Sequence, residues 1–139
     1  MTIDFSKLHD KEYRLNNLYK IVDKDSRNII FKMNEAQSDV FHNKRSKNLI
    51  LKARQLGMST YAILYLLDEV IFNFNTSAGI VSYSLPHAQH IFKNIVGHAL
   101  DNLPKELPDI GITAKSTKEI TFNNGSSFRV DTSLRGGTT

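Results

Sequence analysis

Residues 52–60, Lys-Ala-Arg-Gln-Leu-Gly-Met-Ser-Thr, carry the types and spacing best suited to chemistry in this chain. Phosphate binding between a strand and a helix needs converging backbone N–H groups, a cation to balance charge, and a hydroxyl to help hold magnesium. The usual pattern is G-x-x-x-x-G-K-[ST]. Aligned on Gly57, this stretch puts Lys52 at the first glycine position, Met58 at the lysine position and Ser59 at the hydroxyl position. The pattern is broken, yet the physical requirements can still be met. Gly57 allows close backbone approach, Ser59 can ligate Mg2+, and Lys52 and Arg54 can supply charge from the front of the loop. The residues alone leave two readings open: a nucleotide site with its charge moved, or an ordinary strand-turn-helix.

Other clusters offer less. His87, His90 and His98 fall on one predicted helix, and the first two could share a face as metal ligands do. No third ligand has suitable spacing, so they read as polar helix surface. No Ser-His-Asp or Cys-His set can be assembled. The chain has no cysteine, which excludes disulfides and thiolate metal sites.

The elements that must position the loop follow from local signals. Residues 1–27 read as short helix and loop, and 28–33 as a short extended piece. Asn34 caps a helix over 34–43, with Gln37 three residues on as in a capping box. Residues 48–53 read as a buried strand, followed from Gly57 by a helix of about four turns that is apolar nearly all round. Residues 78–84 form a second strand. Ser84 and Pro86 start a helix that runs to about Asn102, before Pro104. Residues 105–112 read as loop. Two alternating runs then meet at Asn123-Asn124-Gly125-Ser126, a hairpin signal. Strand-helix-strand-helix argues for α/β architecture with a parallel sheet and helices on its faces.

A length of 139 residues suits one domain with a real core. The net charge of +4 is uneven, for residues 1–54 hold two thirds of the Lys and Arg but half of the acids. The densest stretch, 42–48 (HNKRSKN), reads either as a nucleic-acid phosphate contact or as a solvated loop. The N-terminus lacks the apolar run of a signal peptide, and the longest apolar run, Tyr61 to Leu67, is too short to span a bilayer. A soluble intracellular protein with no membrane partner is expected.

The loop resembles the variant Walker A segment of the large terminase subunits of tailed phages, which are ATP-driven DNA-packaging motors. In that family the loop often begins with a basic residue, has an RQLG-like core and need not keep lysine before the hydroxyl. The stretch 31–41 (FKMNEAQSDVF) resembles the family's adenine-side glutamine segment, and 78–96 (AGIVSYSLPHAQHIFKNIV) its second strand and following helix. Residues 116–139 resemble the hairpin and Arg-Gly segment that lead to its Walker B strand.

The resemblance implies an incomplete P-loop NTPase (RecA-like) domain over 34–139, with flanking helices and a C-terminal β-hairpin, after an N-terminal segment 1–33. It implies ATP and Mg2+ as cofactors. Gln37 would meet the adenine edge, and Lys52 and Arg54 the β- and γ-phosphates. Ala53 lies within the loop, and Gln55, Leu56, Gly57 and Met58 would offer backbone amides. Ser59 would ligate Mg2+, and Thr60 would lie near the α-phosphate. Arg135 is either tail or a contact to DNA or the coupling machinery. Double-stranded DNA, a portal protein and a small terminase subunit are the implied partners, in the bacterial host cytoplasm.

An ATPase also needs a Walker B aspartate and a water-activating glutamate. Residues 64–69 (LYLLDE) have the composition, but they begin five residues after Ser59 on the same helix, leaving no room for a returning strand. They read as the exposed end of a buried helix. Residues 128–133 (FRVDTS) read as a hairpin strand. The chain is thus expected to be the N-terminal part of such an ATPase domain, lacking Walker B, the coupling motif and the nuclease domain. It would bind nucleotide weakly, hydrolyse none, and self-associate through an open sheet edge. A helicase-like P-loop motor and a non-catalytic interaction module of prophage origin are the competing readings.

Overall fold

Short polar side chains begin three of the helices, because each accepts an N–H bond that the first helical turn cannot satisfy internally. In the computed structural model, which describes residues 3–46 and 57–132, Asp10 accepts from Glu12 N–H at the start of α1 (Lys11–Asn17). Asn34 opens α2 (Glu35–Asn43) through the expected capping box with Gln37. The third helix, α3 (Met58–Phe72), starts from Gly57 in a left-handed conformation instead. Ser84, with Pro86 in the first turn, opens α4 (Leu85–His90). That helix continues as a π-helical segment (Ile91–Gly97) and α5 (His98–Asp101), capped by Asn102 where the sequence places its end. The π segment carries no sequence signal of its own.

Two sheets form. A small hairpin pairs β1 (Lys20–Val22) with β2 (Asn28–Ile30). The main sheet contains β3 (Ser77–Ser82), β4 (Ile112–Lys115), β5 (Glu119–Phe122) and β6 (Ser127–Thr132), in the order β3-β6-β5-β4. Among the described strands only β3 and β6 are parallel, in register from Ser77↔Ser127 to Ser82↔Thr132. The β5–β6 and β4–β5 pairs are antiparallel. The expected parallel sheet is therefore a mixed one. Connection length explains this: tight turns can only join antiparallel neighbours, whereas the helical crossover between β3 and β6 permits a parallel return.

The C-terminal hairpin turns at the expected residues. Gly125 takes φ +84° and its N–H donates to Phe122 O. The same turn closes α3, since Asn124 Nδ2 donates to the carbonyls of Val70, Ile71 and Asn73.

One face of the main sheet, carrying Ile120, Phe122, Phe128 and Val130, packs in a single core with Leu64 and Leu67 of α3 and with Phe92 and Val96 of the π segment. Leu15, Leu18, Tyr19 and Phe31 belong to that same core. On the other face Gly79, Val81 and Arg129 are exposed. The architecture is thus mixed α/β, a four-stranded sheet with flanking helices. No helix among the described residues is long and apolar enough to cross a membrane.

Candidate functional site

Gly57 sits at φ +70°, and its carbonyl is held by a residue twenty positions earlier. Gln37 Nε2 donates to Gly57 O at 2.9 Å, while its Oε1 accepts from Asn34 N–H at 2.9 Å. The same Gly57 carbonyl receives Tyr61 N–H at 3.0 Å, the first bond of α3. A Cβ on residue 57 would stand 2.7 Å from Gln37 Nε2. Conformation and space therefore both call for glycine. The capping box of α2 and the start of α3 form one hydrogen-bonded unit.

The first turn of α3 divides its side chains. Met58 is buried and joins the core, which accounts for an apolar residue where a phosphate loop usually has lysine. Ser59 is exposed and Thr60 half-buried. The first four N–H groups of a helix have no intrahelical acceptor, and their aligned dipoles favour an anion. Two clefts adjoin this turn. Ser59 lines one of about 540 Å³ together with Ile80, Ser82, Tyr83 and His87. Thr60 lines the other, of about 610 Å³. His90 and Ile95 border both. The Ser59 cleft opens at the carboxyl end of β3, where sheets with parallel strands take their ligands.

Gln37 is only 3% exposed, with both ends of its amide bonded within the protein. Its contact is to the loop glycine rather than to an open surface. Lys52, Ala53, Arg54, Gln55, Leu56 and Arg135, and the strand expected over 48–53, lie outside the described residues. Within the basic stretch, Lys44 donates to Phe41 O and lies 4.2 Å over the Phe41 ring, and His42 meets Glu12 at 3.3 Å.

The histidines have three separate partners. His87 Nδ1 shares a 2.6 Å hydrogen bond with Ser82 Oγ, and its ring stacks on Tyr83 at 4.7 Å. His90 bonds Asn94, and His98 bonds Asn28. No group of three His, Cys, Asp or Glu residues among the described ones could hold a metal ion.

Asp68 and Glu69 differ from the exposed helix end expected of them. Asp68 is fully buried, because α1 lies across α3 and drives Arg14 and Lys11 against it. Arg14 Nε donates to Asp68 Oδ1 at 3.0 Å and Nη2 to Oδ2 at 2.9 Å; Tyr19 Oη donates to Oδ1 at 2.5 Å. Lys11 Nζ lies 3.2 Å from Asp68 and 2.7 Å from Glu69. Burial pulls the Arg14 guanidinium down, but the Asp68 carboxylate outweighs it and leaves the group raised. Burial, reinforced by Asp68, raises the Tyr19 hydroxyl well above its usual range. These carboxylates are taken up in tying α1 to α3. Sequence reasoning missed that role, and the one available signal was Lys11 and Arg14 three apart on one helix.

Asp131, near the carboxyl end of β6, accepts Thr132 N–H and Arg129 Nη2. These bonds, the backbone one first, hold its carboxyl below the usual range. No family model matches the chain, and no curated protein matches it.

Proposed function

We propose that the protein is the nucleotide-binding part of a P-loop ATPase of the DNA-packaging type, taking Mg2+-ATP at the first turn of α3. One observation carries this reading. Gly57 is held left-handed by Gln37 while Ser59 stays exposed at the start of a 15-residue helix, beside a cleft at the carboxyl end of β3. That arrangement offers an anion the helix dipole and first-turn amides. It leaves the Ser59 hydroxyl for Mg2+. Lys52 and Arg54 precede Gly57 closely enough in sequence to neutralise the β- and γ-phosphates. The helix after the loop and the parallel β3–β6 pair support a RecA-like reading of the sheet.

In this reading Gln37 is a positioning residue that fixes the loop glycine. Asp68 and Glu69 are engaged by α1, so they do not supply the Walker B pair. The 139 residues bind nucleotide without turning it over. In an intact motor of this type, hydrolysis would drive double-stranded DNA through a portal with a small terminase subunit, in the bacterial host cytoplasm.

The test is a calorimetric titration of a non-hydrolysable ATP analogue with Mg2+. The natural chain should bind. A variant combining Lys52→Ala, Arg54→Ala and Ser59→Ala should bind at least about tenfold more weakly, about 1.4 kcal/mol. Equal binding by both proteins, or none by the natural chain, would sink the proposal.

A further inference from the structure

We infer that the nucleoside half of the ligand lies in the cleft beyond Thr60 and not against Gln37. The inference rests on the phosphate-loop reading above and adds a direction to it. Gln37 spends its amide on Asn34 N–H and Gly57 O and is buried, so a base edge would have to displace the bonds that hold the loop glycine. The cleft on the Thr60 side is open and has a volume of about 610 Å³, within the range of small-ligand sites.

Its lining has the chemistry of a ribonucleoside phosphate. Ile21, Val22 and Ile95 give apolar surface for a flat heteroaromatic ring, and Val22 is 51% exposed although it lies on a strand. Lys93 and Asp101 lie on the same cleft and are both exposed. Neither forms an ion pair among the described residues. A carboxylate can accept from both ribose hydroxyls, as acidic residues do in dinucleotide folds. An ammonium matches a phosphate as a point charge. Thr60, in the first turn of α3, joins this cleft to the phosphate end.

The walls are pre-formed. His98 Nε2 donates to Asn28 Oδ1 at 3.0 Å, which ties α5 to the β1–β2 hairpin. His90 and Asn94 are bonded to each other at 2.8 Å across one turn. The site therefore selects a ribonucleoside triphosphate, with its ring toward β1 and its phosphates toward Gly57.

The experiment titrates the full chain, with Mg2+ present, with inorganic triphosphate, a non-hydrolysable ATP analogue and its 2′-deoxy form. The analogue should bind at least about tenfold more tightly than inorganic triphosphate. Val22→Ser should remove most of that advantage while leaving inorganic triphosphate unchanged. Asp101→Asn should bring the ribo and deoxy affinities together. Gln37→Ala should weaken analogue and inorganic triphosphate alike, since it acts through Gly57. Equal affinity for analogue and inorganic triphosphate in the natural chain would overturn the nucleoside cleft while leaving the phosphate loop standing. So would unchanged preferences in both Val22→Ser and Asp101→Asn, or a loss of the nucleoside advantage confined to Gln37→Ala. If neither ligand binds the natural chain, both readings fall.

Discussion

Asp68 illustrates how a residue's neighbours decide its role. By composition it belongs to an apolar run ending in two acids, the pattern of a magnesium-orienting aspartate. In the fold both its oxygens are occupied by Arg14, Tyr19 and Lys11, and no water reaches them. A charge buried with its partners contributes little net stability, but removing one partner leaves the other stranded. Asp68→Asn keeps the shape and deletes the anion. It should destabilise the protein by about 3–5 kcal/mol, read as a lowered urea midpoint at constant m-value. A loss under about 1 kcal/mol would mean that the network does not hold α1 on α3. Gly57 shows the converse: it was legible as a special residue from the loop pattern, but the reason it cannot carry a Cβ is Gln37, twenty positions away.

Elements with local signals were readable in advance. The Asn34–Gln37 box, the helix from Gly57, the Ser84–Pro86 start and the hairpin at Asn123–Ser126 each depend on a few adjacent residues. What local signals do not encode was missed. β4 is exposed along its whole length, so it lacks the alternation that marks a strand. β1 has only three residues. Sheet direction depends on which connection is long, and the burial of Asp68 depends on a partner 54 residues away.

Packing of α3 has a further consequence, in its tyrosines. Burial, helped by Tyr65, pushes the Tyr61 hydroxyl up to about 12, and burial also raises Tyr65. Tyr19, packed against the same helix through Asp68, is raised as well. In the unfolded chain tyrosine ionises near pH 10. Above that pH the unfolded state binds fewer protons than the folded state, so stability falls as pH rises. Stability contributed by these groups is therefore complete below about pH 10 and declines toward pH 12. Thermal midpoints between pH 8 and 11.5 should show this decline, and Tyr61→Phe should shallow it. A flat profile would contradict the burial of these hydroxyls.

At the scale of the whole molecule, the described residues cover the sheet on one face and leave the other open. β3 is an edge strand among the described residues, pairing only with β6. Its outward side chain Val81 is 72% exposed, and the chain continues through Tyr83, 81% exposed, and Leu85, 47% exposed. Among the described residues that edge has no second strand beside it, and an edge flanked by apolar side chains is a template for another strand. A second copy of this chain presents the same strand, so two β3 edges can pair about a two-fold axis. The net charge of +4 on 139 residues opposes this only weakly at physiological ionic strength. Sedimentation velocity should therefore show an average mass that rises with protein concentration. Val81→Lys places a charge on the edge, a device natural sheets use against pairing. It should shift the distribution to monomer, because Val81 is exposed on the strand edge and its loss leaves the core intact. A natural chain that stays monomeric at high concentration, or a lysine variant that assembles equally well, would remove β3 as the contact.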